Sequence, residues 1–275
     1  QNVKCKDITY MVYDGTLDLI KAGINMMKPD FGFDLQIGCD FPPASGLGGS
    51  ASLLASVVAA FNEFRSKKLS RYEIAEFAYE AERIELEIAG GWQDQYSTVF
   101  GGFNFLEFRK ENNSVLPIRL EDDRLNELQE RMMLLPTGKR HKGQKIQNLN
   151  TKKNSGDLNF KATGERLQEI AELLKIAFLR GDYSIIGPLL TETWDLKRKT
   201  NPLATNSSLD KIFNTALASG ADGGRLLGTG GGGYFLFFVN PYKKYEFINK
   251  MKNEFPKLEP EQVIFDNQGV LSWVV

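Results

Sequence analysis

The sequence predicts an α+β protein built as two α/β domains, residues 1–125 and 126–275. Three observations carry that reading. Phe33 to Phe41 alternates apolar and polar residues and runs through a glycine-rich turn into a helix that is apolar nearly all round. A second helix opens at Ser70 with its own capping residues. In the second half, helical spacing of apolar residues is interleaved with short apolar runs, the pattern of helices laid on an antiparallel sheet.

In chain order, Phe33–Phe41 reads as a half-buried strand, ended by Pro42 and Pro43 because proline cannot donate to a ladder. The turn Ser45-Gly46-Leu47-Gly48-Gly49 leads into a helix over Ser50–Phe64, whose Ala, Leu and Val content marks it as buried. Ser70 and Glu73 form a capping box. Ile74, Phe77, Ala78, Ala81, Ile84 and Ile88 then share one helical face, and Gly90-Gly91 stops the helix. Phe103–Phe108 reads as a strand and Arg109–Val115 as a hairpin turn or linker. The domain boundary falls in the region 120–130. Met132–Leu135 is a short strand, and lysine-rich 139–161 reads as an exposed stretch. Helices are expected at Glu165–Leu179, Tyr183–Lys197, Leu209–Ser219 and Tyr242–Phe255. Strands are expected at Arg225–Leu227, Tyr234–Val239, Gln262–Phe265 and Val270–Val274. No internal repeat or low-complexity tract interrupts the pattern.

Composition removes several classes of function. The 275 residues carry 34 Lys and Arg against 35 Asp and Glu, a formal charge of −1, so net positive charge cannot drive nucleic-acid binding. His141 is the only histidine, which disfavours a Ser-His-Asp triad, a two-histidine zinc site and histidine acid/base work. Cys5 and Cys39 cannot build a disulfide scaffold or a cysteine-rich metal site, so a reducing cytoplasm is the expected compartment. No apolar run approaches the ~20 residues that span a bilayer, and no membrane partner is expected. The chain opens at Gln1 without a signal-peptide pattern.

Three segments can carry chemistry. Gly46-Leu47-Gly48-Gly49-Ser50-Ala51 combines three glycines with a helix start, where free N–H groups and the positive dipole end favour an anion such as phosphate. It is not a Walker A loop, and the dinucleotide reading that Gly46-x-Gly48-x-x-Ala51 also fits ranks lower because Ser70, where an acidic strand end is wanted, opens another helix. A tight turn with glycines only for packing fits the same residues. Gly228-Thr229-Gly230-Gly231-Gly232-Gly233 is followed by a strand, so it is either a loop pressed against a ligand or a glycine-rich hairpin. In Gly90-Gly91-Trp92-Gln93-Asp94-Gln95-Tyr96, Asp94 lies between two amides that could orient it as a base, or it is a turn former. Glu82 lies at the edge of the apolar stripe twelve residues before Asp94, as a metal ligand or a solvated flank residue.

Taken in that order, the segments resemble the GHMP kinases, the superfamily of galactokinase, homoserine kinase and mevalonate kinase. The family's phosphate motif is Pro-x-x-x-Gly-Leu-Gly-Ser-Ser-Ala, and Pro42 to Ala51 matches it except at Gly49. Leu227 to Tyr234 matches the glycine-rich third motif. Gln93-Asp94-Gln95-Tyr96, followed by Gly101-Gly102-Phe103, is similar to the branch that phosphorylates D-glycero-D-manno-heptose 7-phosphate, and Trp194-x-x-Lys197 points the same way. Gly49 and Trp92 depart from the family pattern, and the chain is expected to start after the family's first strands and first motif.

The resemblance implies the GHMP kinase fold: an S5-domain-2-like N-terminal part without its first strands and a ferredoxin-like C-terminal domain, with the active site in the cleft between them. It implies an ATP-dependent kinase acting with Mg²⁺ on the anomeric hydroxyl of a small-molecule sugar phosphate. Gly46, Leu47, Gly48, Gly49, Ser50 and Ala51 would bind ATP. Ser50 and Glu82 would hold Mg²⁺, and Asp94 would be the catalytic base. Thr137, Gly138, Gly230, Gly231 and Gly232 would contact the sugar phosphate, with Lys139 and Arg140 either beside them or part of a solvated basic surface. The alternatives are a fucokinase- or galactokinase-like kinase of a neutral sugar, or an inactive protein of the same fold that binds a sugar or nucleotide.

Overall fold

The computed structural model describes residues 4–40, 45–109, 112–138 and 158–275. The contacts divide the chain into two compact units. One takes in residues up to 42, 48–117 and 266–275; the other takes in 43–47 and 118–265. The division after Pro117 lies a few residues before the 125/126 boundary read from the sequence, and the chain's last ten residues return to the first unit.

The first unit is a cluster of helices with a hairpin. Helix α1 (Asp18–Met27), α2 (Gly49–Asn62) and α3 (Arg71–Glu80) pack through Ile24, Met27, Leu54, Val57, Val58, Phe61, Ile74 and Ala78, all buried. Gly23 lets α1 approach closely, since a Cβ there would stand 3.1 Å from Val57 Cγ1. The capping box at Ser70 is formed: Glu73 N–H donates to Ser70 Oγ at 3.3 Å, and Ser70 N–H donates to the Glu73 carboxylate at 2.7 Å. Ser70→Ala removes one of those bonds and is expected to cost about 1 kcal/mol. A fall of about 2–4 °C in the thermal midpoint would register it, and an unchanged midpoint would show that the cap contributes nothing.

Helix α3 continues as a π-turn, Ala81–Glu85, and not as the regular helix to Gly90 that the apolar spacing suggests. Helix α4 (Gln93–Phe100) follows, buried through Tyr96 and Val99. Strands β1 (Asn104–Phe108) and β2 (Asn113–Pro117) form an antiparallel hairpin, the first of the two readings open for residues 109–115. The C-terminal stretch closes on α4: Val270 N–H donates to the Val99 carbonyl at 3.2 Å, and a Cβ on Gly101 would stand 2.2 Å from Gly269 N.

Two strand expectations fail in this unit. Residues 33–40 form no strand. Phe31 and Phe33 dock on α2, with Phe33 at 4.8 Å from the Phe61 ring, but Leu35 and Ile37 are exposed and no described strand pairs with them. Residues 270–274 likewise form no strand. Alternation reports which side chains find a surface, whereas a strand also needs a neighbour for its N–H and C=O groups.

The second unit is an antiparallel four-stranded sheet in the order β4-β5-β3-β6, formed by β3 (Met132–Pro136), β4 (Ala221–Leu226), β5 (Tyr234–Val239) and β6 (Glu261–Gln262). Strand β6 is two residues long, shorter than the expected 262–265. Helices α5 (Asp122–Arg131), α6 (Leu158–Arg180), α7 (Ile186–Thr200), α8 (Ser207–Ala218) and α9 (Lys244–Glu254) complete the unit. One face of the sheet buries Leu135, Phe235 and Phe237 with Trp194, Phe213 and Phe247, all at most 2% exposed. Each such side chain contributes about 1.5–3 kcal/mol of burial. Helix α7 lies directly on β4, because a Cβ on Gly223 would be 1.9 Å from the Gly187 carbonyl oxygen. Among the described residues no helix is long and apolar enough to cross a membrane.

Candidate active site

The phosphate-loop geometry is set by two left-handed glycines. Gly46 has φ +81° and Gly48 has φ +77°, a region that side chains with a Cβ rarely adopt. Gly48 is the N-cap of α2 and supplies no side-chain oxygen to it. The first intrahelical bond runs from Ser52 N–H to the Gly48 carbonyl at 3.0 Å. The N–H groups of Gly49, Ser50 and Ala51 therefore have no acceptor within the helix and stand at its positive end.

Asp94 meets this helix start. A Cβ placed on Gly48 would lie 3.9 Å from Asp94 Cβ and 4.0 Å from Asp94 Cγ. A residue 46 positions away thus brings its carboxyl within van der Waals reach of the α2 N-cap. Asp94 is half-buried in the first turn of α4, and not in a loop past a helix end as the sequence suggests. Trp92 stacks flat on Tyr79, with centroids 3.5 Å apart and planes at 6°, which anchors the start of α4 to α3.

Glu82 is buried, at 2% exposure, so it is not a solvated flank residue. The π-turn rotates it inward. Its Oε2 accepts from Gln95 Nε2 at 2.6 Å and lies 3.3 Å from the Arg83 guanidinium. Arg83 in turn donates to the carbonyls of Ile88 at 3.4 Å and Ala89 at 3.2 Å. The guanidinium packs directly on Gly90, where a Cβ would sit 2.2 Å from Arg83 Cζ and push that side chain aside. Sequence reasoning missed both Arg83 and Gln95 as partners of Glu82; the only available signal was their place beside Glu82 and Asp94.

Among the described residues no group of three or more His, Cys, Asp or Glu side chains is set to hold a metal ion. Mg²⁺ in phosphate chemistry needs only one or two protein oxygens, with phosphate and water completing its shell. Glu82 fits that demand. Both protein donors converge on Oε2, and no described donor reaches Oε1. The buried Gln95 Oε1 beside it has no hydrogen-bond partner.

The second unit holds the other sequence candidates. Gly230, Gly231, Gly232 and Gly233 all have positive φ, from +77° to +130°. Part of this run is packing: Gly231 N–H donates to the Ala204 carbonyl at 2.8 Å, and a Cβ on Gly230 would clash with Ala204 at 2.7 Å. Thr137 is tied to the loop, its N–H and hydroxyl both donating to the Gly233 carbonyl at 2.8 and 3.0 Å. Gly233 N–H donates back to the Gly138 carbonyl at 3.2 Å. Lys197 Nζ donates to the Gly228 carbonyl, and Trp194 is a core residue. Lys139, Arg140, Pro42 and Pro43 lie outside the described residues.

Comparison with known proteins matches residues 14–102 to the GHMP kinases N terminal domain and residues 169–257 to the GHMP kinases C terminal domain. The D-glycero-alpha-D-manno-heptose 7-phosphate kinase of Campylobacter jejuni is 35% identical over 266 residues, covering 94% of this chain and 78% of that protein. The chain belongs to the GHMP kinase family. This GHMP kinase is an ATP-dependent phosphotransferase, a sugar kinase. Its fold is similar to a D-glycero-D-manno-heptose 1-phosphate kinase from Bacteroides thetaiotaomicron, with TM-score 0.75, 27% identity and coverage of 97% of this chain and 78% of that one. It is similar also to a sugar kinase from Campylobacter jejuni, with TM-score 0.74, 33% identity and coverage of 96% and 77%. A bifunctional fucokinase/GDP-fucose pyrophosphorylase of Arabidopsis thaliana is 26% identical over 81% of this chain, which spans only 21% of that longer protein.

Proposed function

We propose that this kinase transfers the γ-phosphoryl group of ATP to the anomeric hydroxyl of D-glycero-D-manno-heptose 7-phosphate, giving the 1,7-bisphosphate and ADP. The observation that carries the chemistry is the Asp94 carboxyl, about 4 Å from a Cβ position on Gly48 at the start of α2. The likeness to the Campylobacter heptose 7-phosphate kinase supports the acceptor.

N–H groups of Gly46, Leu47, Gly48, Gly49, Ser50 and Ala51 hold the phosphates of ATP. Mg²⁺, when bound, neutralises charge on the phosphate oxygens; Ser50 Oγ and Glu82 Oε1 are the side-chain atoms that would hold it. Asp94 accepts the proton of the anomeric hydroxyl as its oxygen bonds to the γ-phosphorus and the bond to the β-phosphate oxygen breaks. An anomeric hydroxyl is more acidic than an ordinary alcohol, so a carboxylate is a sufficient base. Thr137, Gly138 and Gly230 to Gly232 are assigned to the sugar phosphate, through the backbone groups that the loop's own hydrogen bonds leave open.

An ADP-release assay with heptose 7-phosphate, fucose and galactose tests the reading. Turnover of the heptose phosphate well above both neutral sugars is expected; a neutral sugar as the better acceptor would overturn it. Ser50→Ala is expected to raise the Mg²⁺ concentration for half-maximal rate about tenfold. The Mg²⁺ dependence of ADP binding, followed by calorimetry, should shift in parallel. An unchanged dependence in both would remove Ser50 from the ligand set.

A further inference from the structure

Arg225 is the next-to-last residue of β4, paired in register with Leu236 of β5, which itself pairs with Leu134 of β3. By register it shares a face with Gly223 and Leu236, opposite the face that carries Phe235 and Phe237. Its Nε is buried and donates to nothing. Among the described residues no carboxylate, carbonyl or ring partners the rest of the guanidinium, and the residue keeps partial access to water. Other arginines of this unit contrast with it. Arg166 pairs with Glu192 and Glu169, Arg198 with Asp195 and Asp210, and Arg131 with Glu127. Burial holds the Arg225 pKa below the ordinary arginine value, as expected of a cation partly withdrawn from water without a counter-charge.

A cation partly withdrawn from water without a counter-charge is costly and is retained where something supplies the missing partner. A guanidinium whose donors find no partner among the described residues offers a planar fork that matches an oxyanion bidentately. The strand that carries Arg225 ends at Leu226 and leads directly into the glycine loop, whose Gly233 is bonded to Thr137 and Gly138. We infer that Arg225 receives a phosphate monoester dianion, the phosphate that the acceptor sugar brings with it. The inference rests on the heptose-phosphate reading and gives that reading its selectivity: a neutral sugar leaves the guanidinium unpaired.

Arg225→Met tests it on the full chain. With a non-hydrolysable ATP analogue filling the phosphate loop, inorganic phosphate is expected to raise the thermal midpoint of the wild type and not of the variant. Without phosphate the variant should melt at or above the wild-type midpoint, since an unpaired, partly buried charge has gone. In kinetics, KM for heptose 7-phosphate should rise at least tenfold, with KM for ATP within twofold of wild type. Arg225→Lys should recover only part of the loss, because a point charge lacks the fork. Equal phosphate stabilisation of wild type and Arg225→Met would overturn the assignment, as would a variant that melts well below wild type without phosphate. A change confined to KM for ATP would assign the phosphate to the nucleotide and also overturn it. Should the wild type turn over no sugar phosphate, the functional reading falls, while the phosphate-dependent melting still decides Arg225.

Discussion

Asp94→Asn is expected to lower kcat by about 10²–10⁴-fold, the usual worth of a positioned general base. Asparagine keeps the size of the side chain, so α4 should start as before. What it loses is the capacity to take a proton from the acceptor hydroxyl. The N–H groups at the start of α2 are untouched, so calorimetry should find ATP affinity within a fewfold of wild type. The proximity of Asp94 to Gly48 sharpens the expectation, because it sets the carboxyl within about 4 Å of the helix N-cap that the phosphates would use. Wild-type kcat in this variant would show that Asp94 neither accepts the proton nor orients the hydroxyl.

Gly233→Ala should be the most damaging single methyl group in the second unit's glycine loop. Gly233 has φ +106°, and a Cβ there would stand 2.2 Å from the Ser45 carbonyl oxygen, which is backbone and cannot swing aside. Backbone strain of about 1–3 kcal/mol adds to about 1–3 kcal/mol of overpacking. At about 2–4 °C per kcal/mol for a chain of this size, the thermal midpoint should fall by roughly 5–20 °C. Gly138→Ala is the matched control. Gly138 also has positive φ, +90°, but among the described residues nothing lies within 4 Å of its Cβ position. Only the backbone cost of about 1–2 kcal/mol applies there. Equal midpoints for the two variants would mean that the Gly233 contact with Ser45 carries no energy.

Much of the local structure was legible in the residues. Tyr234–Val239 has the bounds its apolar run implies, and the Ser70–Glu73 box forms as its spacing requires. The helix after the Gly46–Gly49 turn is there, one residue earlier than expected. Helices α1 and α5 carry no clear helical signal in the sequence: α1 has a buried Lys21 and Asn25, and α5 is mostly polar and charged with only Leu128 buried. In both, the polar residues hide the apolar face. The break of α3 into a π-turn escaped notice because Ile84 and Ile88 continue the apolar spacing, although Ile84 is 65% exposed.

The site divides in the same way. Left-handed backbone at Gly46 and Gly48, and the anion-binding character of the helix start, follow from residue types within six positions, since they depend on local torsions and helix ends alone. Tertiary structure decided the rest. It set Asp94 against Gly48, buried Glu82 between Gln95 and Arg83, and left Arg225 Nε without a partner among the described residues. It also withheld a ladder partner from residues 33–40. Each of those outcomes depends on which atoms distant in sequence arrive alongside, because ion pairs, ladders and burial are properties of pairs of segments and not of any one segment.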